Sequence, residues 1–360
     1  MARPIRPAGA MVLAPLLALA VGSCGPGAVS TTSPVPTGAP ISPTSPPATA
    51  TATATIAGPA YDNPVYPRDF PDPHVIRVDD TFYAYSTNVS PSHVPVLSSN
   101  DLVSWTRVGD AMPVQAQWAR KGLGLTWAPG VIELDDGFAL YFTARDEDSD
   151  RQCIGVAISD SPEGRFENQT DEPLICQAEL GGSIDAYPFR DDEQLYLYWK
   201  SDGNCCGLDV WLWAQRLSDD GLTLQGNPVQ LIQRDQPWER PLIENPAMVE
   251  QAGEYYLFYS GNWWEGIDYA VGYAVCESAL GPCEKPLDEP IFHASADATG
   301  PGGQSLFHDT EGNLWMAYHA WTGIRVGYPR GERSLRLEPV TFEDGAPVMD
   351  GPTVDPQPLP

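Results

Sequence analysis

FYAYST at residues 82–87 returns along the chain as FALYFT at 138–143, LYLYWK at 195–200, YYLFYS at 255–260 and LWMAYH at 314–319. Each run alternates aromatic and aliphatic residues after a turn rich in Asp or Gly, which is the pattern of a strand packed on a pleated sheet. The starts lie 56, 57, 60 and 59 residues apart. A period this long and this regular holds one four-stranded sheet per repeat, and five such sheets close into a five-bladed β-propeller. Little amphipathic helical pattern lies between the repeats, and Gly and Pro punctuate them throughout. A β-sandwich has no reason to repeat at this interval, so the fold class is all-β.

Ten residues before each start lies the preceding strand, where equivalent positions of all blades approach a common axis. Those positions are Asp72, Ala128, Asp185, Asn245 and Gln304. A hairpin one residue longer in the fourth blade puts Glu244 in place of Asn245. Three carboxylates, Asp72, Asp185 and Glu244, then converge from three blades. Such a set suits glycosidic hydrolysis, where one carboxyl protonates the leaving oxygen and another activates water or attacks carbon. Crowding acids in a partly desolvated pocket raises at least one pKa and keeps a general acid protonated near neutral pH. Clustered carboxylates also suit calcium. Glu239, in Trp238-Glu239-Arg240, competes with Glu244, but Arg240 offers it an adjacent ion-pair partner.

Upstream of the repeats, Arg3 and Arg6 precede an apolar run from Ala10 to Val21 that ends in Gly22-Ser23-Cys24. This is a secretory signal, too short for a permanent span. Val21-Gly22-Ser23-Cys24 also resembles the bacterial lipobox, which makes Cys24 the lipidated first residue of the mature protein and residues 1–24 the signal segment. Residues 25–58 are almost all Pro, Ser, Thr, Ala and Gly, with no charged side chain. Such a composition buries too little apolar surface to offset its ordering entropy, so it reads as an extended, disordered tether. Residues 59–360 form the propeller, held outside the cell on a lipid anchor.

The formal charge is −28, and the lysines are Lys121, Lys200 and Lys285 alone. That balance argues against nucleic acid and against electrostatic adhesion to an anionic membrane, and is compatible with a neutral polymer. Besides Cys24 there are six cysteines, an even number that suggests disulfides in an exported protein. Cys276 with Cys283 is a local bridge; the other four pair as Cys153–Cys176 and a vicinal Cys205–Cys206, or crosswise. No CxxC spacing supports zinc.

Asn63-Pro64-Val65, Asp69-Phe70-Pro71-Asp72-Pro73 and Arg77-Val78-Asp79-Asp80-Thr81-Phe82-Tyr83 resemble the opening of glycoside hydrolase family 43. Trp127-Ala128-Pro129, Ser183-Ile184-Asp185, Glu244-Asn245-Pro246 and Gly300-Pro301-Gly302 resemble its later landmarks, in order and at blade spacing, over about residues 61–345. The resemblance implies an inverting mechanism. In it Asp72 is the base that activates water, Glu244 the acid, and Asp185 the residue that raises and positions that acid. Many members carry a His after the last Gly-Pro-Gly that helps hold a central calcium. Gly303-Gln304 stands here instead, so no metal is expected, and Gln304 reaches the axis as an amide ligand or hydrogen-bond donor and is assigned to substrate binding.

Sugars are recognised by aromatic rings stacked on their C–H faces, with polar groups fixing orientation. Trp127, beside the axial Ala128, and Trp263, with Trp264 in the loop after the fourth marker strand, are the candidates. Asp69 joins them near Asp72, Trp321 follows the fifth marker strand, and His319 reads as structural. The expected substrate is a plant polysaccharide containing arabinose or xylose, and the activity an α-L-arabinofuranosidase or arabinanase. A β-xylosidase or β-galactofuranosidase is the nearest alternative. A non-catalytic carbohydrate-binding propeller is the alternative of another class, although a lectin has no need of all three carboxylates.

Overall fold

The computed structural model describes residues 60–359, apart from 123, 296 and 324. The signal segment, the tether and Cys24 lie outside the described residues. Five four-stranded antiparallel sheets make up the fold. Blade I comprises His74–Val78, Thr81–Tyr85, Pro95–Ser99 and Thr106–Asp110. Blade II runs from Thr126–Leu134 to Glu167–Asn168, and blade III from Ser183–Asp191 to Leu224–Gln233. Blade IV runs from Ile243–Gln251 to Cys283–Glu284. Blade V takes Ala298–His308, Leu314–Thr322 and Arg333–Pro339 from the end of the chain, and its outer strand, Tyr66–Asp69, from the beginning. That borrowed strand closes the ring and ties the chain's two ends together. The five-bladed propeller read from the repeat is therefore the fold, with every marker run in the second strand of its blade.

The markers recur because one position does the same work in three blades. Tyr85, Tyr141 and Tyr198 are each the fourth residue of a marker run, fully buried, and each hydroxyl donates to a carbonyl of the next blade. Tyr85 reaches Pro162, Tyr141 reaches Gly221 at 2.7 Å, and Tyr198 reaches Ala279 at 2.6 Å. A buried phenol fills space between blades and needs a partner for its oxygen, and these carbonyls supply it. In blade IV the equivalent residue is Phe258, and Tyr256 bonds Gly345 instead, at 2.7 Å.

The innermost strands of blades II to V each carry a bulge. At it Ala128, Asp185, Asn245 and Gly303 take φ of 38°, 60°, 50° and 61°, as does Asp72 (52°) just before blade I. Bulges re-aim a side chain beside a functional centre, and here they point these residues at the axis. The ten-residue offset finds four of the five. It fails in blade V, where the connection between the paired His308 and Leu314 holds one residue more than that between Arg190 and Leu195. Gly303, not Gln304, takes the axial place. The longer hairpin expected in blade IV is absent, since Glu250 pairs Tyr255 just as Arg190 pairs Leu195. Glu244 is therefore not the axial residue of its blade; Asn245 is, and Glu244 stands one step before it.

Candidate active site

At one end of the axis a cleft of about 580 Å³ gathers Asp69, Asp72, Trp127, Asp185, Glu244 and Trp263. Gln304 is placed elsewhere, in the wall of a small chamber of about 20 Å³ along the axis. Its amide oxygen accepts from Ser260 at 2.7 Å and its nitrogen donates to the Asn245 carbonyl at 2.7 Å. Both ends of that amide are thus engaged by the protein itself, away from the cleft that gathers the other candidates.

Asp72 enters from the turn before blade I. Its Oδ2 accepts from the Thr87 hydroxyl at 2.6 Å, and its Oδ1 lies 3.3 Å from Arg333 Nη1. Its backbone N–H donates to His319 Nδ1 at 3.0 Å. That nitrogen must therefore be unprotonated. Burial and the nearby Arg333 push His319 well below the usual imidazole range, so the ring stays neutral and structural. Gly303 has to be glycine: a Cβ there would meet the His319 ring at 2.5 Å and Asp72 Oδ1 at 2.7 Å. The guanidinium of Arg333 is held over the Trp264 ring at 4.7 Å, which fixes it against Asp72.

Asp185 and Glu244 are both buried at the mouth of the axis. Glu244 Oε2 accepts from Lys200 Nζ at 2.9 Å and Oε1 from the Tyr269 hydroxyl at 2.8 Å. Asp185 Oδ2 accepts the N–H of Asn245, next to Glu244, at 3.0 Å. Burial, then the charges of Glu244 and Asp72, push Asp185 well above the ordinary aspartate range, with Lys200 opposing. Burial alone would lower Lys200, but Glu244, Asp202 and Asp185 hold it above its usual value, so it remains an ammonium ion. Burial and Glu244 also raise Tyr269, which keeps it a phenol and a donor.

Asp69 lines the cleft through a different set of contacts. It accepts from the Tyr328 hydroxyl at 2.8 Å and from the backbone N–H of Arg333 at 2.8 Å, so it anchors the blade V loop. Trp263 is 43 % exposed and Trp127 half-buried, both open to a ligand. Trp321 is wholly buried, stacked behind Trp264, and does not border the cleft. Sequence reasoning missed Lys200, Tyr269, Tyr328 and Arg333 as site residues. Lys200 carried a signal: it is a lysine inside a buried marker strand, in a chain with few lysines. The bridges are Cys153–Cys176, Cys205–Cys206 and Cys276–Cys283, and Cys205 forms part of the cleft wall.

Glu239 is placed away from all this. It is completely buried, its two oxygens taken by Asp235 N–H, Gln236 N–H, the Tyr259 hydroxyl and Lys285. The ion-pair partner is Lys285 at 2.6 Å, not the exposed Arg240.

Known proteins share this fold. A solved thermostable family-43 glycoside hydrolase superposes with a TM-score of 0.75 at 32 % identity, over 83 % of this chain and 98 % of that one. A β-D-galactofuranosidase of Aspergillus niger is 26 % identical, over 71 % of this chain and 75 % of its own. A probable arabinan endo-1,5-α-L-arabinosidase A of Aspergillus flavus is 24 % identical, over 77 % of this chain and 90 % of its own. Residues 61–347 match the family described as glycosyl hydrolases family 43, and with blades, cleft and match coinciding over that span, the chain belongs to it and is an O-glycosyl hydrolase.

Proposed function

We propose that this hydrolase acts with inversion on arabinose- or xylose-containing plant polysaccharides, as an α-L-arabinofuranosidase or arabinanase. The observation that carries the reading is the meeting of Asp72, Asp185 and Glu244, from three blades, in one cleft walled by Trp127 and Trp263. In the proposed reaction Asp72 takes a proton from a water as its oxygen bonds to the anomeric carbon. Glu244 gives a proton to the glycosidic oxygen as the old C–O bond breaks, and the two carboxyls finish with exchanged protonation. Asp185, bonded to the N–H beside Glu244, positions the acid. The aromatic walls stack on sugar faces, and Arg333 orients Asp72.

The Aspergillus relatives support two substrate readings, an arabinan and a galactofuranoside. Product chromatography after incubation with linear arabinan, arabinoxylan and xylo-oligosaccharides separates them. Arabinose alone means exo action; a ladder of arabino-oligosaccharides means an open cleft and endo action. Xylose alone moves the assignment to a β-xylosidase. Release of galactose from a galactofuranoside, with no product from the others, moves it to a β-galactofuranosidase. A protein that binds these glycans and cleaves none is a binding propeller, and the proposal fails.

The same reading includes export and lipid attachment at Cys24, supported by Val21-Gly22-Ser23-Cys24 and by the bridges of the domain. Cys24→Ala should move the protein from the membrane fraction to the medium or the soluble fraction. An unchanged distribution would exclude the anchor.

A further inference from the structure

The sixth residue of each marker run faces the next blade's axial residue. In four blades it is an acceptor and takes that residue's backbone N–H. Thr87 accepts from Ala128 at 2.8 Å, Thr143 from Asp185 at 3.2 Å and Ser260 from Gly303 at 2.9 Å. His319 Nδ1 closes the ring by accepting from Asp72 at 3.0 Å. Blade III has Lys200 in this place, and an ammonium group has three donors and no acceptor. The N–H of Asn245 therefore goes to Asp185 Oδ2 instead, at 3.0 Å, while Lys200 donates to Glu244 at 2.9 Å.

A lysine with 1 % side-chain exposure is a costly replacement for a threonine. The cost is offset only because carboxylates surround it: Glu244 at 2.9 Å, Asp202 at 3.6 Å, and Asp185. We infer that Lys200 is the positioning residue that converts one of five equivalent blade junctions into the acid site, by clamping Glu244 and by leaving Asn245 without an acceptor so that Asp185 is drawn onto it. This rests on the reading of Glu244 as the acid. Lys200 bonds the carboxyl of the acid but does not itself pass the proton. It acts through Glu244, whose other oxygen Tyr269 holds, and through Asp185.

The ionisable groups around this junction are Asp185 and Asp202 of blade III, Glu244 and Tyr269 of blade IV, and Asp72 of the turn into blade I. Arg333 and His319 of blade V and Arg145 of blade II complete the set. Lys200 is the cation that opposes the upward push on Asp185. It is also the cation bonded to the acid, 2.9 Å from Glu244 Oε2, and removing that positive charge no longer favours the ionised acid, so the alkaline limb of the activity profile, which the acid sets, moves up.

The test compares Lys200→Thr, Lys200→Met, Lys200→Arg and Glu244→Gln in the full chain, on whichever of arabinan, arabinoxylan or xylo-oligosaccharides the wild type cleaves. Lys200→Thr restores the acceptor of the other blades and should keep the fold, as read by thermal melting. Both neutral variants should lower kcat about a hundredfold, the scale of a misplaced general acid, with KM within about threefold of wild type. Their alkaline limb should rise by about one pH unit, and Lys200→Arg should bring it back. A lysine that merely supports the fold would leave the limb where it was. Lys200→Thr with kcat within about threefold of wild type, or with an unmoved limb, overturns the inference. If Glu244→Gln is inactive while Lys200→Thr is active, Lys200 alone is wrong. If Glu244→Gln keeps full activity, the acid reading fails and takes this inference with it.

Discussion

Glu239 and Glu244 stand five residues apart and have nearly the same partners. Each is buried, each is paired with a lysine that has an aspartate as a second neighbour, and each accepts from a tyrosine hydroxyl. They differ in what is left over. Glu239 takes two backbone N–H groups as well, at 2.9 and 3.0 Å, which secures the short 3-10 turn Pro237–Glu239. Its oxygens are saturated and no cleft opens beside it. Glu244 accepts only from Lys200 and Tyr269, and the rest of its carboxyl faces the cavity with Asp72 and Asp185. An ion pair therefore does not distinguish a structural carboxylate from a reactive one; unspent lone pairs beside open volume do.

The comparison is broken most directly at the two glutamates. Glu244→Gln keeps the shape and both neighbours but cannot deliver a proton, so kcat/KM should fall by about 10³ to 10⁴ on polysaccharide. Much of the loss should be recovered on a glycosyl fluoride, whose leaving group needs no proton. Stability should fall too, because the buried Lys200 loses a counter-charge, so activity is read per folded molecule. Glu239→Gln should differ in activity, which stays per folded molecule while stability drops by about 3 kcal/mol, read by urea unfolding. The loss comes from a Lys285 with one partner fewer and donors now facing an amide NH₂. Equal activity losses in both variants would erase the distinction.

Asp185→Asn should have a smaller effect on stability, of opposite sign. Burial, with Glu244 and Asp72 nearby, raises Asp185 in the folded chain. Below the unfolded value both states hold the proton and no penalty arises. As pH rises through the folded value, ionisation favours the unfolded chain and stability is lost. The Asn variant carries no such term and still accepts the Asn245 N–H through its amide oxygen. Its stability advantage should grow from pH 4 to pH 7, while catalysis is lost. An advantage that stayed flat across that range would show that Asp185 is not held protonated by its surroundings.

Those two carboxylates were legible from the repeat because Asp72 and Asp185 sit at the axial bulge, at a fixed distance from their marker strands. Glu244 was reached through an assumed longer hairpin in blade IV. The extra residue is in blade V, so the arithmetic landed on the right side chain for a wrong reason. Hairpin length is set by local turn chemistry, which the period averages away. The closing strand Tyr66–Asp69 was not legible either: nothing in YPRD says that it pairs with Arg333–Pro339, some 264 residues on at Asp69 and Arg333. Lys200, Tyr269 and Arg333 escaped for a related reason. Lys200 and Arg333 lie in strands and Tyr269 just ahead of one, and their meeting is a product of ring closure rather than of sequence spacing.

Arg240 gives the smallest effect and the sharpest check on how ion pairs are read from sequence. It follows Glu239 directly, which made it the obvious partner, yet Glu239 ends the 3-10 turn Pro237–Glu239 while Arg240 leaves that turn in extended backbone and is exposed. Glu239 turns inward to Lys285, which arrives from residues beyond blade IV with 7 % side-chain exposure, while Arg240 stays in solvent. Arg240→Ala should therefore change unfolding free energy by no more than about 0.5 kcal/mol, as for an exposed side chain without a specific partner. Lys285→Met should cost several times more, because it leaves the saturated Glu239 buried without its counter-charge. If the two substitutions cost the same, sequence adjacency would be as good a guide to pairing as the fold, and the contrast between the two glutamates would lose its structural half.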